Sequence, residues 1–106
     1  MDFLEIAKNI APYIVQIIPK LENEEKFNDA LNFYEKMNGH AILDDREKVS
    51  MGEKIKDTKV YGTPFIAILG DKVESGKIEL EETKTGEKQV LTIEEAVEFL
   101  NKQMEE

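Results

Sequence analysis

Apolar residues follow two different rhythms along this chain, and the change of rhythm predicts its architecture. Tyr13 to Ile18 is a near-continuous apolar run with β-branched residues, closed by Pro19. Such a run reads as a strand buried on both faces, the signature of a parallel sheet. From residue 22 to 38, apolar positions recur at helical spacing. Phe27, Ala30, Leu31 and Tyr34 form the stripe, and Phe33 and Met37 widen it. Asn38-Gly39 stops that helix. Ala41-Ile42-Leu43 is a second short strand, a shorter helix spans about 51–60, and Gly62-Thr63-Pro64 turns the chain into a third apolar strand, Phe65 to Leu69. Two strands joined through a helix, twice over, imply parallel pairing with right-handed crossovers.

Beyond Gly70 the rhythm changes. Lys77-Ile78-Glu79-Leu80-Glu81 alternates polar with apolar, as a strand with one wet face does. Thr85-Gly86 is a turn, and Gln89-Val90-Leu91 completes a hairpin. Thr92-Ile93-Glu94-Glu95 has the spacing of a capping box, and Ala96, Val97, Phe99 and Leu100 give the helix after it an apolar side. The predicted order is β-α-β-α-β-β-β-α: an α/β fold, with a mixed five-stranded sheet and three helices. A short helix over 3–10, ended by Pro12, is expected to lead in. With no internal repeat and no Pro/Gly/Ser linker, residues 1–106 read as a single domain whose first ten residues are a lead-in segment.

Composition narrows the functional classes. A hydrophobic share of 41% in 106 residues supports one compact core. No apolar run reaches the roughly 20 residues of a membrane-spanning helix, so no membrane partner is expected. The first residues, Met1 to Glu5, lack a secretory signal, and no cysteine is present for a disulfide framework or a thiolate metal site. A cytoplasmic protein is the expectation. The net charge of −9, from 23 acidic and 14 basic residues, disfavours unspecific attraction to phosphate backbones. It leaves room for a local basic face. Arg46, Lys48, Lys54, Lys56 and Lys59 outnumber Glu47, Glu53 and Asp57 in the stretch between two acidic helical segments.

Catalytic motifs are missing. There is no phosphate-cradling P-loop and no strand-linked Gly-rich fingerprint. The single histidine, His40, has no sequence partner to orient it as a base and reads as a solvated turn residue. One histidine and no cysteine would leave a zinc ion to carboxylates, so neither a metal nor a cofactor is expected. The local signal that stands out is Asp44-Asp45-Arg46, followed by Gly52-Glu53-Lys54 and Asp57. These charges follow the C-terminal end of a parallel strand, where open α/β sheets place their ligands. An arginine there can bind a phosphate or a guanine edge in bidentate fashion, and a carboxylate can accept from a base amino group. Equally, Asp44 or Asp45 can cap the next helix while Arg46 makes a surface ion pair. Phe65 is either a core ring or a stacking platform.

In this order, these segments resemble the anticodon-binding domain shared by class II prolyl-, threonyl-, glycyl- and histidyl-tRNA synthetases, over about residues 11–103. The likeness rests on Ile10-Ala11-Pro12-Tyr13, Asp44-Asp45-Arg46, Gly52-Glu53-Lys54-Ile55-Lys56-Asp57, Gly62-Thr63-Pro64, Ile68-Leu69-Gly70-Asp71-Lys72 and Thr85-Gly86-Glu87-Lys88. The segment Val73 to Lys77 also has a threonyl-like look, while Asp44-Asp45-Arg46 with Gly62-Thr63-Pro64 favours the prolyl type, whose copy is a C-terminal domain. Two positions depart from that pattern. Met51 stands where prolyl members often have proline, and Ile66 stands where many have arginine. The resemblance implies recognition of a tRNA anticodon stem-loop, through Asp45, Arg46, Lys48, Lys54, Asp57 and Phe65. It also implies that any catalysis belongs to a separate synthetase catalytic domain, as a partner within a longer chain. The rival reading is a free-standing synthetase-derived protein–protein module without RNA binding, favoured by the acidic balance and by Ile66.

Overall fold

The structure, a computed structural model, describes residues 13–105, so the lead-in helix expected over 3–10 lies outside the described residues. Five strands, β1 (Val15–Pro19), β2 (Ala41–Leu43), β3 (Phe65–Leu69), β4 (Lys77–Glu82) and β5 (Lys88–Thr92), alternate with three helices. The helices are α1 (Glu24–Lys36), α2 (Met51–Tyr61) and α3 (Ile93–Met104), in the predicted order. The sheet runs β2-β1-β3-β4-β5, parallel across its first three strands and antiparallel across β3-β4 and β4-β5. The expected mixed sheet is therefore present. The run from Val15 became the central parallel strand because every residue of β1 is buried.

The crossover rule then fixes which face each helix covers. The chain moves one way from β1 to β2 and the opposite way from β2 past β1 to β3. Right-handed connections consequently put α1 and α2 on opposite faces of the sheet. The two faces are chemically unlike. One apolar cluster joins Val15, Ile17, Phe65, Ala67, Ile78 and Leu80 of the sheet to Ala30 and Phe33 of α1 and to Ala96 and Leu100 of α3. Residues of α2 take no part in it. What α2 buries is Lys54 and Thr58, against a face that carries Gln16, Ile18, Ile66 and Glu81.

Helix ends follow the sequence closely. Asn23, Ser50 and Thr92 each accept from a backbone N–H three residues on, and the Glu95 carboxylate accepts from the Thr92 backbone N–H, completing the capping box. The cap of α2 is Ser50, so neither Asp44 nor Asp45 serves in that role. After α2, Gly62 takes a left-handed conformation (φ 78°) to turn the chain toward β3. The stripe expected on α1 is rotated. Lys26, Ala30, Phe33 and Met37 face inward, while Leu31 and Tyr34 remain 37% and 39% exposed. Successive residues step 100° around a helix. An inward arc centred on Ala30, Phe33 and Met37 leaves 31 and 34 at its margin. His40 is exposed, as read from the sequence.

Candidate nucleic-acid interface

Four structural constraints build the site at the C-terminal end of the parallel strands. Strand β2 ends at Leu43, and the backbone N–H of Asp44 extends its ladder by donating to Ile17 O at 2.9 Å. This seats Asp44 inside the fold, 5% exposed, with its carboxylate turned toward β1 and the following loop. Gln16 Nε2 on β1 donates to Asp44 Oδ2 at 2.9 Å. Arg46 then folds back on the same carboxylate, its Nε reaching Oδ1 at 2.9 Å and its Nη2 reaching Oδ2 at 2.8 Å. This is the bidentate fork of an arginine–carboxylate pair, closed inside the chain rather than offered outward. From α2, Asp57 Oδ2 accepts a further hydrogen bond from Arg46 Nη2 at 3.2 Å.

The electrostatics follow from this crowding. Burial pushes the Asp44 carboxyl up, but the hydrogen bonds and charge of Arg46, with the nearby charge of Lys54, outweigh it and hold the group below the usual aspartate value. The hydrogen bond to Asp44 likewise raises Arg46, which stays charged throughout. Two carboxylates around one guanidinium leave the trio with a formal charge of −1. Arg46 Nη1, with its two N–H groups, makes no hydrogen bond among the described residues, and the side chain is 41% exposed. The half-exposed Asp57 carboxylate lies beside it. A free donor thus sits next to an available acceptor, on a group whose charge is already compensated. That pairing suits the edge of a neutral base better than a phosphate.

Two residues of the contact set implied by the resemblance, Lys54 and Phe65, are buried. Lys54 is only 1% exposed, and its ammonium donates to the Asp44 carbonyl at 3.3 Å. It lies under the loop because α2 turns position 54 toward the sheet, alongside Thr58 one turn later, whose hydroxyl donates to Lys54 O. Phe65 is 6% exposed and meets Phe99 of α3 edge to face, with ring centroids 5.6 Å apart. It is a core ring and not a stacking platform. Replacing Phe65 with leucine should cost about 1 kcal/mol of stability. The same change should leave RNA affinity alone. A titration in which affinity fell well beyond the stability loss would return Phe65 to the interface.

Asp45 and Lys48 are exposed on the loop before α2, and Lys56 is exposed on α2 itself. Neither lysine has an ion-pair partner among the described residues. The structure also adds roles that the motifs did not show. Gln16 is hidden in an apolar run, and Asp44, although part of Asp44-Asp45-Arg46, turns inward to hold Arg46 and caps no helix. On the same face, Glu81 is buried, with Lys59 at 3.4 Å and Lys88 at 3.8 Å. Strand alternation gave their side: in β4, the odd-numbered positions face α2. Ile66, where many prolyl members carry arginine, is fully buried between Gln16 and Glu81 in the strand register. The departing position is therefore packed, and the face lacks a cation there. Among the described residues no group of three or more ligating side chains converges, and no helix is long and apolar enough to cross a membrane.

Comparison with known proteins assigns the chain to a lineage. Residues 14–103 match the family described as the anticodon binding domain. A proline–tRNA ligase from Aquifex aeolicus (strain VF5) is 37% identical over 101 residues, which cover 92% of this chain and 18% of that protein. One from Caldicellulosiruptor saccharolyticus is 35% identical over 95 residues, 86% of this chain and 16% of that protein. One from Rippkaea orientalis is 35% identical over 97 residues, 88% of this chain and 16% of that protein. The chain thus spans less than a fifth of the length of these curated relatives. With the family pattern matched across all five strands and all but the last residue of α3, this chain belongs to the anticodon-binding domain family.

Proposed function

We propose that this domain grips the anticodon stem-loop of a proline-accepting tRNA in the cytoplasm, so that the acceptor end reaches a synthetase catalytic domain. The observation that carries the reading is the Arg46–Asp57 pair, which offers one donor beside one acceptor at the end of a parallel sheet. Arg46 Nη1 would donate to a base carbonyl, and Asp57, with exposed Asp45 nearby in sequence, would accept from base N–H groups. Lys48 and Lys56 would meet phosphates and set the register. Buried Lys54 and Phe65 drop out of the contact set and act from within the fold.

This division of labour has a measurable signature. The wild-type domain should bind a proline anticodon stem-loop and discriminate against one with both specifying bases exchanged. With two unpaired lysines at phosphates, log K should fall with log salt at a slope of about −1 to −2. Titrations of both RNAs at two salt concentrations check this. Equal affinity for the two RNAs, or none for either at low salt, would refute the proposal.

A further inference from the structure

Gln16 is out of character for its position. It lies in the central strand at 3% exposure, flanked in register by Ile42 of β2 and Ile66 of β3. Its Nε2 donates to Asp44 Oδ2, and its Oε1 is a buried polar atom with no hydrogen-bond partner among the described residues. The orientation is forced, because a carboxylate can only accept. The amide must turn its NH2 to Asp44 and strand its carbonyl. A buried acceptor left unpaired is destabilising, and a methionine of similar volume would fill the same space without it. Packing alone gives no reason for glutamine here.

The reason lies one residue further on. Asp44 spends both carboxylate oxygens on the Arg46 fork, and Oδ2 is shared between Arg46 Nη2 and Gln16 Nε2. A carboxylate at the end of a strand can rotate about its terminal torsion, which is broad and roughly two-fold. The bond from Gln16, itself fixed in the centre of the sheet, removes that freedom. A relay then runs from β1 through Asp44 to a half-exposed guanidinium whose Nη1 makes no hydrogen bond among the described residues. We propose that Gln16 is a positioning residue of the RNA-contacting site: it locks the plane of the Asp44 carboxylate, and through it the aim of Arg46. The inference rests on Arg46 being the base contact argued above. The stranded Oε1 is what the fold tolerates to keep that aim.

The test uses Gln16→Met on the full chain, with two readouts. The first needs no RNA. The Arg46 side-chain Nε–H, followed by NMR, should exchange with solvent about tenfold faster in the variant, while sheet amides stay as protected as before and the thermal midpoint holds or rises. The second is binding of the proline anticodon stem-loop, in a cycle with Arg46→Ala. Gln16→Met should weaken binding about fivefold in the wild-type background, yet change nothing further once Arg46 is gone. Unchanged Nε–H exchange would overturn the relay regardless of what RNA does. So would an equal loss of affinity in both backgrounds, since that marks a general structural effect. If exchange quickens but Arg46→Ala binds as tightly as wild type, the anticodon-site reading fails, and the role given to Gln16 falls with it.

Discussion

Asp44→Ala should unfold this domain about 10–20 °C earlier than wild type and abolish measurable discrimination between anticodons. The thermal figure follows from a loss of about 2–4 kcal/mol. Asp44 accepts from Gln16 Nε2 and twice from the Arg46 side chain, and the two partners suffer unequally when it goes. Arg46 is partly exposed and regains water. Gln16 is buried and cannot, so its unpaired NH2 carries most of the cost. The same carboxylate makes a pH prediction whose sign can be worked out. Its folded pKa is held below the ordinary value, by Arg46 hydrogen bonding and charge acting against burial. Its contribution to stability is therefore complete above the unfolded value of about 4, and is lost as pH falls through the lower folded one. Thermal melts of wild type and Asp44→Asn should accordingly differ most at neutral pH and converge under acid. A gap that stayed constant down to pH ~2 would remove Asp44 as the acid-sensitive group.

Arg46→Ala should weaken binding of the proline stem-loop by about 10- to 100-fold, the loss of one good base contact. Arg46→Lys should not restore it, because an ammonium cannot fill the planar fork on Asp44 while still presenting a second donor outward. The informative quantity is the salt slope. Arg46 already lies between two carboxylates, so its removal frees no counterion and the slope should stay as in wild type. Lys48→Ala is the contrast: a smaller loss, shared by both RNAs, with the slope shallower by about 0.7–0.9. Were Arg46→Ala to weaken both RNAs equally and flatten the slope, Arg46 would be a phosphate contact and the base-edge assignment wrong.

The fold could be read from the sequence because its cues are local and redundant. The buried run ending at Pro19, the alternation from Lys77 and the box at Thr92 each point one way, and each element formed where they pointed. The site was harder to read. Asp44-Asp45-Arg46 drew attention to the right loop, but sequence spacing does not say which aspartate turns inward. The ladder bond from Asp44 N to Ile17 O decides that, and it depends on a strand pairing 27 residues away in sequence. Lys54 was misplaced for a related reason. A lysine on a short, polar helix reads as solvated unless one knows that the helix buries that side. Gln16 carried no signal at all, since one amide within an apolar run looks like a tolerated exception.

The unlike faces of the sheet have an evolutionary corollary. Fold strength is concentrated where α1 and α3 press on the strands, while α2 closes the other side with a lysine and a threonine. Changes under α2 that keep the Gln16–Asp44 bond can therefore accumulate at less cost than changes under α1 and α3. A lineage needing a different RNA target would find its raw material there, and Ile66 in place of a cation is the mark such drift would leave.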